Sequence, residues 1–412
     1  MKEFFTSLRP FSDRNKGRLY ADAAASTPLH PRAARRLAKL LALYGNPGSL
    51  HAEGVAAERE LEAARKEVAA ALGAHTDEIV FTSGGTEANN LALAGALMPL
   101  VRDECASGRP ALRAVTTAIE HPSVLGPLRN LAKRGLDLVE LPVDEGGLVS
   151  PRALADALTE ETVLVSVQLV NSEVGTVEPV RELAKEIRHI RKKRTEEGNA
   201  LPLYFHTDAA QAPLYLPLAV EKLGVDLMTL DAQKILGPKG VGALYRRRGV
   251  KLEPVLYGGE QEQGMRPGTA NAPLSGAFAE ALALAQTGVE ERAKRVAAVR
   301  DFLIETIAKR VPGAELNGSR EHRIANNVNI SIPGLEGETA VIALDAFGVA
   351  ASTRSACELG GEEPSYVVQA LGHSKERARG AIRITLLPDA TKRDARRIAD
   401  ALLGAYKLYR KP

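Results

Sequence analysis

Residues 78–82, EIVFT, run straight into 83–90, SGGTEANN, and then into the apolar stretch 91–97, LALAGAL. A short strand-like run closed by Ser-Gly-Gly and followed by Ala and Leu predicts a buried strand that turns directly into a helix. Gly84, Gly85 and Thr86 would then lie at the helix start. Small and hydroxyl residues there can present backbone N–H groups and the helix dipole to a phosphate. The same sequence also fits an ordinary capped turn, so the stretch decides the fold before it decides the chemistry.

Outward from this unit the rhythm repeats. Residues 114–118, 136–142, 162–169, 203–207 and 226–230 read as strands, and 55–72, 151–158 and 180–194 as amphipathic helices around them. Such alternation predicts an α/β fold with a mostly parallel sheet. Val and Leu on both parities of the strands predict a sheet covered on both faces. From 271 the pattern changes: an Ala-rich helical stretch runs to about 309, a strand lies within 326–334, another at 381–386, and a final helix at 392–408. We therefore expect an N-terminal segment, 1–27, packing with the small domain, a large ligand-binding domain, 28–270, and a smaller α+β C-terminal domain, 271–412.

Composition removes several function classes. The 412 residues carry 54 Lys and Arg against 51 Asp and Glu, a formal charge of +3, which gives no strong field for nucleic acid or an anionic membrane. Trp is absent and aromatic residues are 4%, against a stacking platform for single strands. The only cysteines, Cys105 and Cys357, exclude a disulfide framework and a four-cysteine zinc site. There is no signal-peptide-like start and no run of about eighteen apolar residues. A cytoplasmic location is the expectation. The charged run 188–198, RHIRKKRTEEG, reads as a solvated helix end and loop, with a nucleic-acid patch as the less favoured reading. Nucleotide-binding glycine motifs, a P-loop, HExxH and CxxC are all absent.

Several residues could carry chemistry. Lys234 follows a strand and precedes the rigid run ILGPKG, a setting for a held amine able to form a Schiff base, or simply for a surface lysine. Asp208 ends a strand at the sheet edge where open α/β proteins bind ligands. It could hold a pyridinium nitrogen protonated, or cap a helix. His121 also ends a strand and could stack on a planar cofactor or be a satisfied buried histidine. Cys357 sits in a polar, glycine-rich stretch, ASTRSACELGGEEP, which suggests an exposed reactive thiol, whereas Cys105 has no such setting. Arg383 interrupts a strand pattern and could grip a carboxylate with two hydrogen bonds, or face outward at an edge.

Taken together, the order and spacing of these segments are specific. From about residue 20 to 403 the chain resembles the cysteine desulfurases of the class V aminotransferase superfamily, of the iron–sulfur-assembly and nitrogenase-associated type. The segments that carry the resemblance are YADAAASTP (20–28), GNPGS (45–49) with His51, FTSGGTE (81–87), GMRPGT (264–269), SAC (355–357) and EPSY (363–366). The resemblance implies the pyridoxal-phosphate-dependent transferase fold of type I. It implies a Schiff base between Lys234 and pyridoxal 5'-phosphate, Asp208 on the pyridine nitrogen, Gln211 on the ring oxygen and His121 stacked on the ring. Gly85 and Thr86 would hold the phosphate, with Thr269 reaching it from the neighbouring subunit of a homodimer. Arg383 would hold the substrate carboxylate, and Ser172 would contact cofactor and substrate. Cys357 would take sulfur from L-cysteine as a persulfide for an iron–sulfur scaffold or another sulfur acceptor.

Three positions depart from the family pattern. Gln233 stands where His is usual before the lysine, Asp231 where Ser is usual, and Ser172 where a second Asn is usual. Gln233 can still donate to the phosphate. Asp231 would repel it, so we expect Asp231 to turn away or to bond a backbone N–H. Two alternatives follow: a related lyase acting on selenocysteine or cysteine sulfinate, which Cys357→Ser would separate by its effect on cysteine turnover, and a non-catalytic docking protein of the same fold, which retention of Lys234 and Cys357 argues against.

Overall fold

The computed structural model describes residues 17–107, 111–353 and 363–409. In chain order, β1 (Leu19–Tyr20) is followed by α1 (Pro31–Leu40), α2 (Ala52–Leu72), β2 (Ile79–Thr82), α3 (Gly85–Ser107), β3 (Arg113–Thr117) and α4 (Pro122–Ala132). Next come β4 (Asp137–Leu141), α5 (Pro151–Ala157), β5 (Thr162–Ser166), α6 (Val180–Glu196), β6 (Tyr204–Asp208), α7 (Val220–Leu223), β7 (Leu227–Asp231) and β8 (Gly242–Arg246). The second half holds α8 (Ala272–Gln286), α9 (Val289–Arg310), β9 (Glu315–Leu316), β10 (Asn327–Ser331), α10 (Gly337–Ala346) and β11 (Val349–Ala350). The chain then closes with α11 (Tyr366–Ala370), α12 (Lys375–Arg379), β12 (Ala381–Thr385) and α13 (Lys392–Tyr409).

Seven strands form the main sheet in the order β2-β8-β7-β6-β5-β3-β4. The pairs from β7 through β6, β5 and β3 to β4 are parallel, and only β8 runs against its two neighbours. All five residues of β5 and of β7 are buried, which is the signature of a sheet covered on both faces. The strand ends therefore converge on one edge, where β2, β3, β6 and β7 deliver the turns at Gly84, Glu120, Asp208 and Asp231. A second, antiparallel sheet has the order β12-β10-β9. The N-terminal strand β1 pairs in parallel with β11, Leu19 opposite Val349, and Thr385 N donates to Ala21 O at 2.7 Å. One apolar cluster runs from Ala64 and Phe205 under the main sheet to Ile384 and Leu402 beyond it.

Two details differ from the sequence reading. The single long helical stretch after 271 is two helices, broken at Thr287 and Gly288, where Gly288 has φ +61°. That left-handed turn is cheap only for glycine. The charged run at 188–198 is solvated only in part. Lys192 and Lys193 pair with Glu196 and Glu197 at the surface, but Arg191 pairs with Asp226 and Arg194 is buried, donating to the carbonyls of Thr159 and Thr162.

Candidate active site

At the C-terminal edge of the main sheet lies a cavity of about 270 Å³. Gly85, Thr86, His121, Ser172, Asp208, Gln211, Gln233, Lys234 and Arg383 all line it. Nine of the residues singled out from sequence thus meet in one place, although they span nearly 300 positions of chain. The cavity lies where strand ends and helix starts leave backbone groups and side chains free to turn inward.

Asp208 is the last residue of β6, and its carboxylate is held on both oxygens. Oδ1 accepts from Ala210 N at 3.0 Å and Oδ2 from Asn89 Nδ2 at 2.8 Å. Asn89, buried on α3, also donates to Ser123 Oγ at 2.8 Å. Ser123 Oγ lies 2.7 Å from His121 Nδ1, and Ser123 N donates to the same nitrogen at 3.1 Å. Because the backbone N–H can only donate, Nδ1 is the acceptor, so the neutral ring carries its hydrogen on Nε2. The sequence reading missed Asn89. It lies within SGGTEANN, but its partners are 34 and 119 residues away, and no local pattern reports them.

Behind His121, Glu120 is wholly buried, and burial pushes its carboxyl well above the usual carboxylate range. Glu120 Oε1 accepts from Thr117 Oγ1 at 2.8 Å and from Gln168 N at 3.0 Å. His206, one residue pair below Asp208 on β6, is pushed down to about 4 by burial and bonds to Ser166 and Thr229.

Lys234 Nζ donates to the carbonyls of Ala24 and Ala25 at 2.9 and 2.7 Å, and Gln211 Nε2 shares Ala24 O at 2.9 Å. The lysine turn is stapled by Thr27. Its N and Oγ1 both donate to Gln233 O at 2.8 Å, and its Oγ1 accepts from Leu236 N at 2.7 Å. Leu236 has φ +65°, a conformation a leucine adopts only when surrounding bonds hold it there. Thr27, quoted above only as part of the N-terminal motif, is thus a positioning residue for Lys234.

Arg383, in the middle of β12, is 1% exposed, which corrects the edge-residue alternative. It donates from Nη1 to Ser172 O at 3.1 Å and from Nη2 to Asp22 Oδ1 at 3.0 Å. Its Nε is buried without a hydrogen-bond partner among the described residues. Burial pushes the Asp22 carboxyl up, and Arg383 opposes that rise. Asp22 lies 361 positions away in sequence, and the sequence reading gave it no role.

Asp231 bonds as expected to a backbone N–H, with Oδ1 accepting from Gln233 N at 3.2 Å, but it does not turn away from the cavity. Its Oδ2 accepts from Gln233 Nε2 at 3.1 Å, so the Gln233 amide serves Asp231. Thr269 lies on an exposed loop outside the cavity lining of its own chain. Cys357 falls within 354–362 and lies outside the described residues. The flanks of that stretch are tied to the cavity rim. Ser352 and Arg383 exchange backbone hydrogen bonds, Ser365 Oγ donates to Glu173 Oε2 at 2.6 Å, and Tyr366 Oη donates to Glu120 O at 2.6 Å.

Residues 19–398 match the family described as Aminotransferase class-V. The chain is 39% identical over 388 residues to "Cysteine desulfurase IscS" of Dictyoglomus turgidum, covering 94% of each. It is 38% identical to the protein of the same name from Methanosarcina thermophila, covering 95% of this chain and 92% of that protein. Among solved structures, a "NIFS-LIKE PROTEIN" superposes with TM-score 0.84 at 31% identity, over 95% of this chain and all of that one. "SspA in complex with cysteine" superposes with TM-score 0.75 at 30% identity, over 90% of this chain and all of the other.

Proposed function

The chain belongs to the aminotransferase class-V family, and from that premise we propose that it is a pyridoxal-phosphate-dependent cysteine desulfurase. It converts L-cysteine to L-alanine and leaves the sulfur as a persulfide on Cys357. The observation that carries this reading is the cavity itself, which brings a strand-end carboxylate, an amine, an imidazole and a buried guanidinium within one small volume.

The residues present suit the cofactor. Asp208 offers a carboxylate already fixed by Asn89 and Ala210, as a protonated ring nitrogen requires. Gln211 and His121 line the same wall, and Gly85 and Thr86 open α3 beneath it. Lys234 would hold the cofactor covalently, Asp208 its ring nitrogen, Gln211 its ring oxygen, and His121 its ring face. Gly85, Thr86, Gln233 and Thr269 from a second copy would meet its phosphate. When bound, the cofactor supplies the electron sink that lets the bonds at Cα and Cβ of cysteine break.

The chain does the rest. Arg383 grips the substrate carboxylate with the donor capacity that Asp22 and Ser172 leave, and Ser172 lines the approach. Lys234 Nζ, held near the carbonyls of Ala24 and Ala25, takes the Cα proton and returns it to the product. The Cys357 thiolate attacks the substrate sulfur. The sulfur–Cβ bond breaks, the bonding pair stays with carbon, a proton completes alanine, and the enzyme keeps an S–SH group. A thiol then reduces the persulfide to sulfide, or a sulfur-acceptor protein, such as an iron–sulfur scaffold, takes the terminal sulfur.

A homodimer is part of the proposal. Exposed apolar side chains support it: Tyr44 at 83%, Leu50 at 98% and Tyr257 at 82% exposure lie on loops with no packing of their own. Thr269, exposed in its own chain, is then free to serve a neighbour. A cytoplasmic location is likewise proposed. No helix among the described residues is long and apolar enough to cross a membrane. The test is to supply L-cysteine, pyridoxal 5'-phosphate and a thiol reductant and to measure both products. Alanine and sulfide in equal amounts, lost in Cys357→Ser and in Lys234→Ala, is the expected result. Alanine without sulfide, or turnover that survives Cys357→Ser, would overturn the proposal.

A further inference from the structure

The carboxylate of Asp231 lies against the glycine turn that opens α3. A Cβ built on Gly85 would stand 3.3 Å from Asp231 Cβ and 3.5 Å from Oδ2, and one on Gly84 would stand 4.0 Å from Oδ1. Asp231 is 7% exposed, lines the cavity, and takes both of its hydrogen bonds from one neutral residue, Gln233. The nearby cation at this helix start, Arg266, is paired with Glu87, whose other oxygen accepts from Ser83 N. An anion drawn to the start of α3 therefore meets a carboxylate whose charge no hydrogen-bonded cation among the described residues offsets. Two like charges that share a site disfavour one another's charged form, and one member of the pair takes up a proton more readily. They do not both stay fully charged when one of them is a phosphate with a second ionisation near about pH 6.

Building on the proposed cofactor, we propose that Asp231 makes this end of the cavity selective for a singly charged phosphate, which binds sharing one proton with an Asp231 carboxylate oxygen. The proton balance fixes the sign. A free cofactor with a doubly charged phosphate takes up one proton from solvent as it binds and releases it as it leaves. Affinity therefore falls as pH rises above the second ionisation, about tenfold per unit. The other titratable or charged groups lining the cavity are His121, Asp208, Lys234 and Arg383, and Glu87 with Arg266 lies at the outer side of α3. A ligand without the phosphate meets all four lining groups equally, so a ratio of two affinities cancels them.

The experiment strips the full-length protein of cofactor and measures binding of pyridoxal 5'-phosphate and of pyridoxal by their visible absorbance bands, from about pH 6 to about pH 9. In the wild type, the ratio of the two affinities should fall about tenfold per pH unit. In Asp231→Asn and in Asp231→Ser the ratio should be nearly flat, and near pH 8 it should exceed the wild-type ratio by about tenfold or more. Phosphorus NMR of the wild-type holoprotein should keep the resonance of the singly charged form above the pH at which the free cofactor ionises. A flat ratio in the wild type, or a slope unchanged in both variants, would overturn the proposal while leaving the enzyme assignment standing. No bound band with either compound, in the wild type or the variants, would instead remove the cofactor reading and this inference with it.

Discussion

At one end of the cavity Asp208 is held by Asn89 from α3 and by Ala210 from its own turn, and Asn89 continues through Ser123 on α4 to His121, which caps that helix. At the other end Asp231 is held by the residue two places along its own chain. The first arrangement crosses three elements and exists only when the fold is complete. The second is a local turn that any strand end could make. The difference separates two kinds of control. The Asp208 end fixes geometry through tertiary contacts, whereas the Asp231 end sets charge through a single side chain. A substitution at 231 should therefore change electrostatics and leave the fold alone, and one at 89 should disturb the geometry of both Asp208 and His121.

The largest test of this division is Lys234→Ala. Without the amine, covalent attachment of the cofactor is lost, and cysteine turnover should fall by at least about 10²–10⁴-fold, read as alanine formed per enzyme. Next is Asp208→Asn, which keeps the shape and removes the charge. Turnover should drop on the order of 10²-fold, with a smaller loss of stability of about 1 kcal/mol, because the amide oxygen can accept from only one of Asn89 Nδ2 and Ala210 N. A fall in stability as large as the fall in activity would mean that Asp208 is structural, and the comparison would break. Asn89→Ala should cost about tenfold in activity and about 1–3 kcal/mol in stability, since Ser123 and Asp208 both lose a buried donor. Asp231→Asn should have the opposite sign, retaining the cofactor better at alkaline pH.

The smallest effect concerns a carboxyl outside the cavity. Glu178 is pushed up to about 8 by burial, with Oε2 accepting from Val149 N at 3.0 Å and Oε1 without a partner among the described residues. A group raised on folding stabilises the protein below its unfolded ionisation and loses that contribution as pH rises through the folded value. Wild-type stability should therefore decline between about pH 4.5 and about pH 8, by at most about 1.4 kcal/mol per unit from this group. Urea unfolding of Glu178→Gln should lack this part of the decline, with turnover unchanged. Equal slopes in the two proteins would show that Glu178 is ionised in the fold.

Much of the site was legible because its residues stand where strands end. Lys234, Asp208 and His121 each follow a short apolar run, and that position alone sends a side chain to the ligand edge of a parallel sheet. What stayed hidden depends on distance or on disguise. Asp22 and Asn89 act through partners far along the chain, and nothing beside them in sequence marks the contact. The helix α4 received no assignment from sequence: Pro122 suits its first position, but Gly126 and Pro127 are poor helix formers, and the buried face of Val124, Leu128 and Leu131 offsets them. The strand β8 follows the turn GPKGVG and was obscured by it. Asp231 was recognised as out of place, and the expectation that it would bond a backbone N–H was met, but its approach to the glycine turn required the packing of β7 against α3.

The central claim is that this cavity serves to move sulfur from cysteine onto one particular thiol. The most direct measurement mixes the holoenzyme with L-cysteine in the absence of a reductant, alkylates the product and locates the added sulfur by peptide mass spectrometry. The account predicts one extra sulfur atom on the peptide containing Cys357, none on the peptide containing Cys105, and none anywhere in Lys234→Ala. Sulfur on Cys105, or alanine released with no sulfur on either peptide, would contradict it.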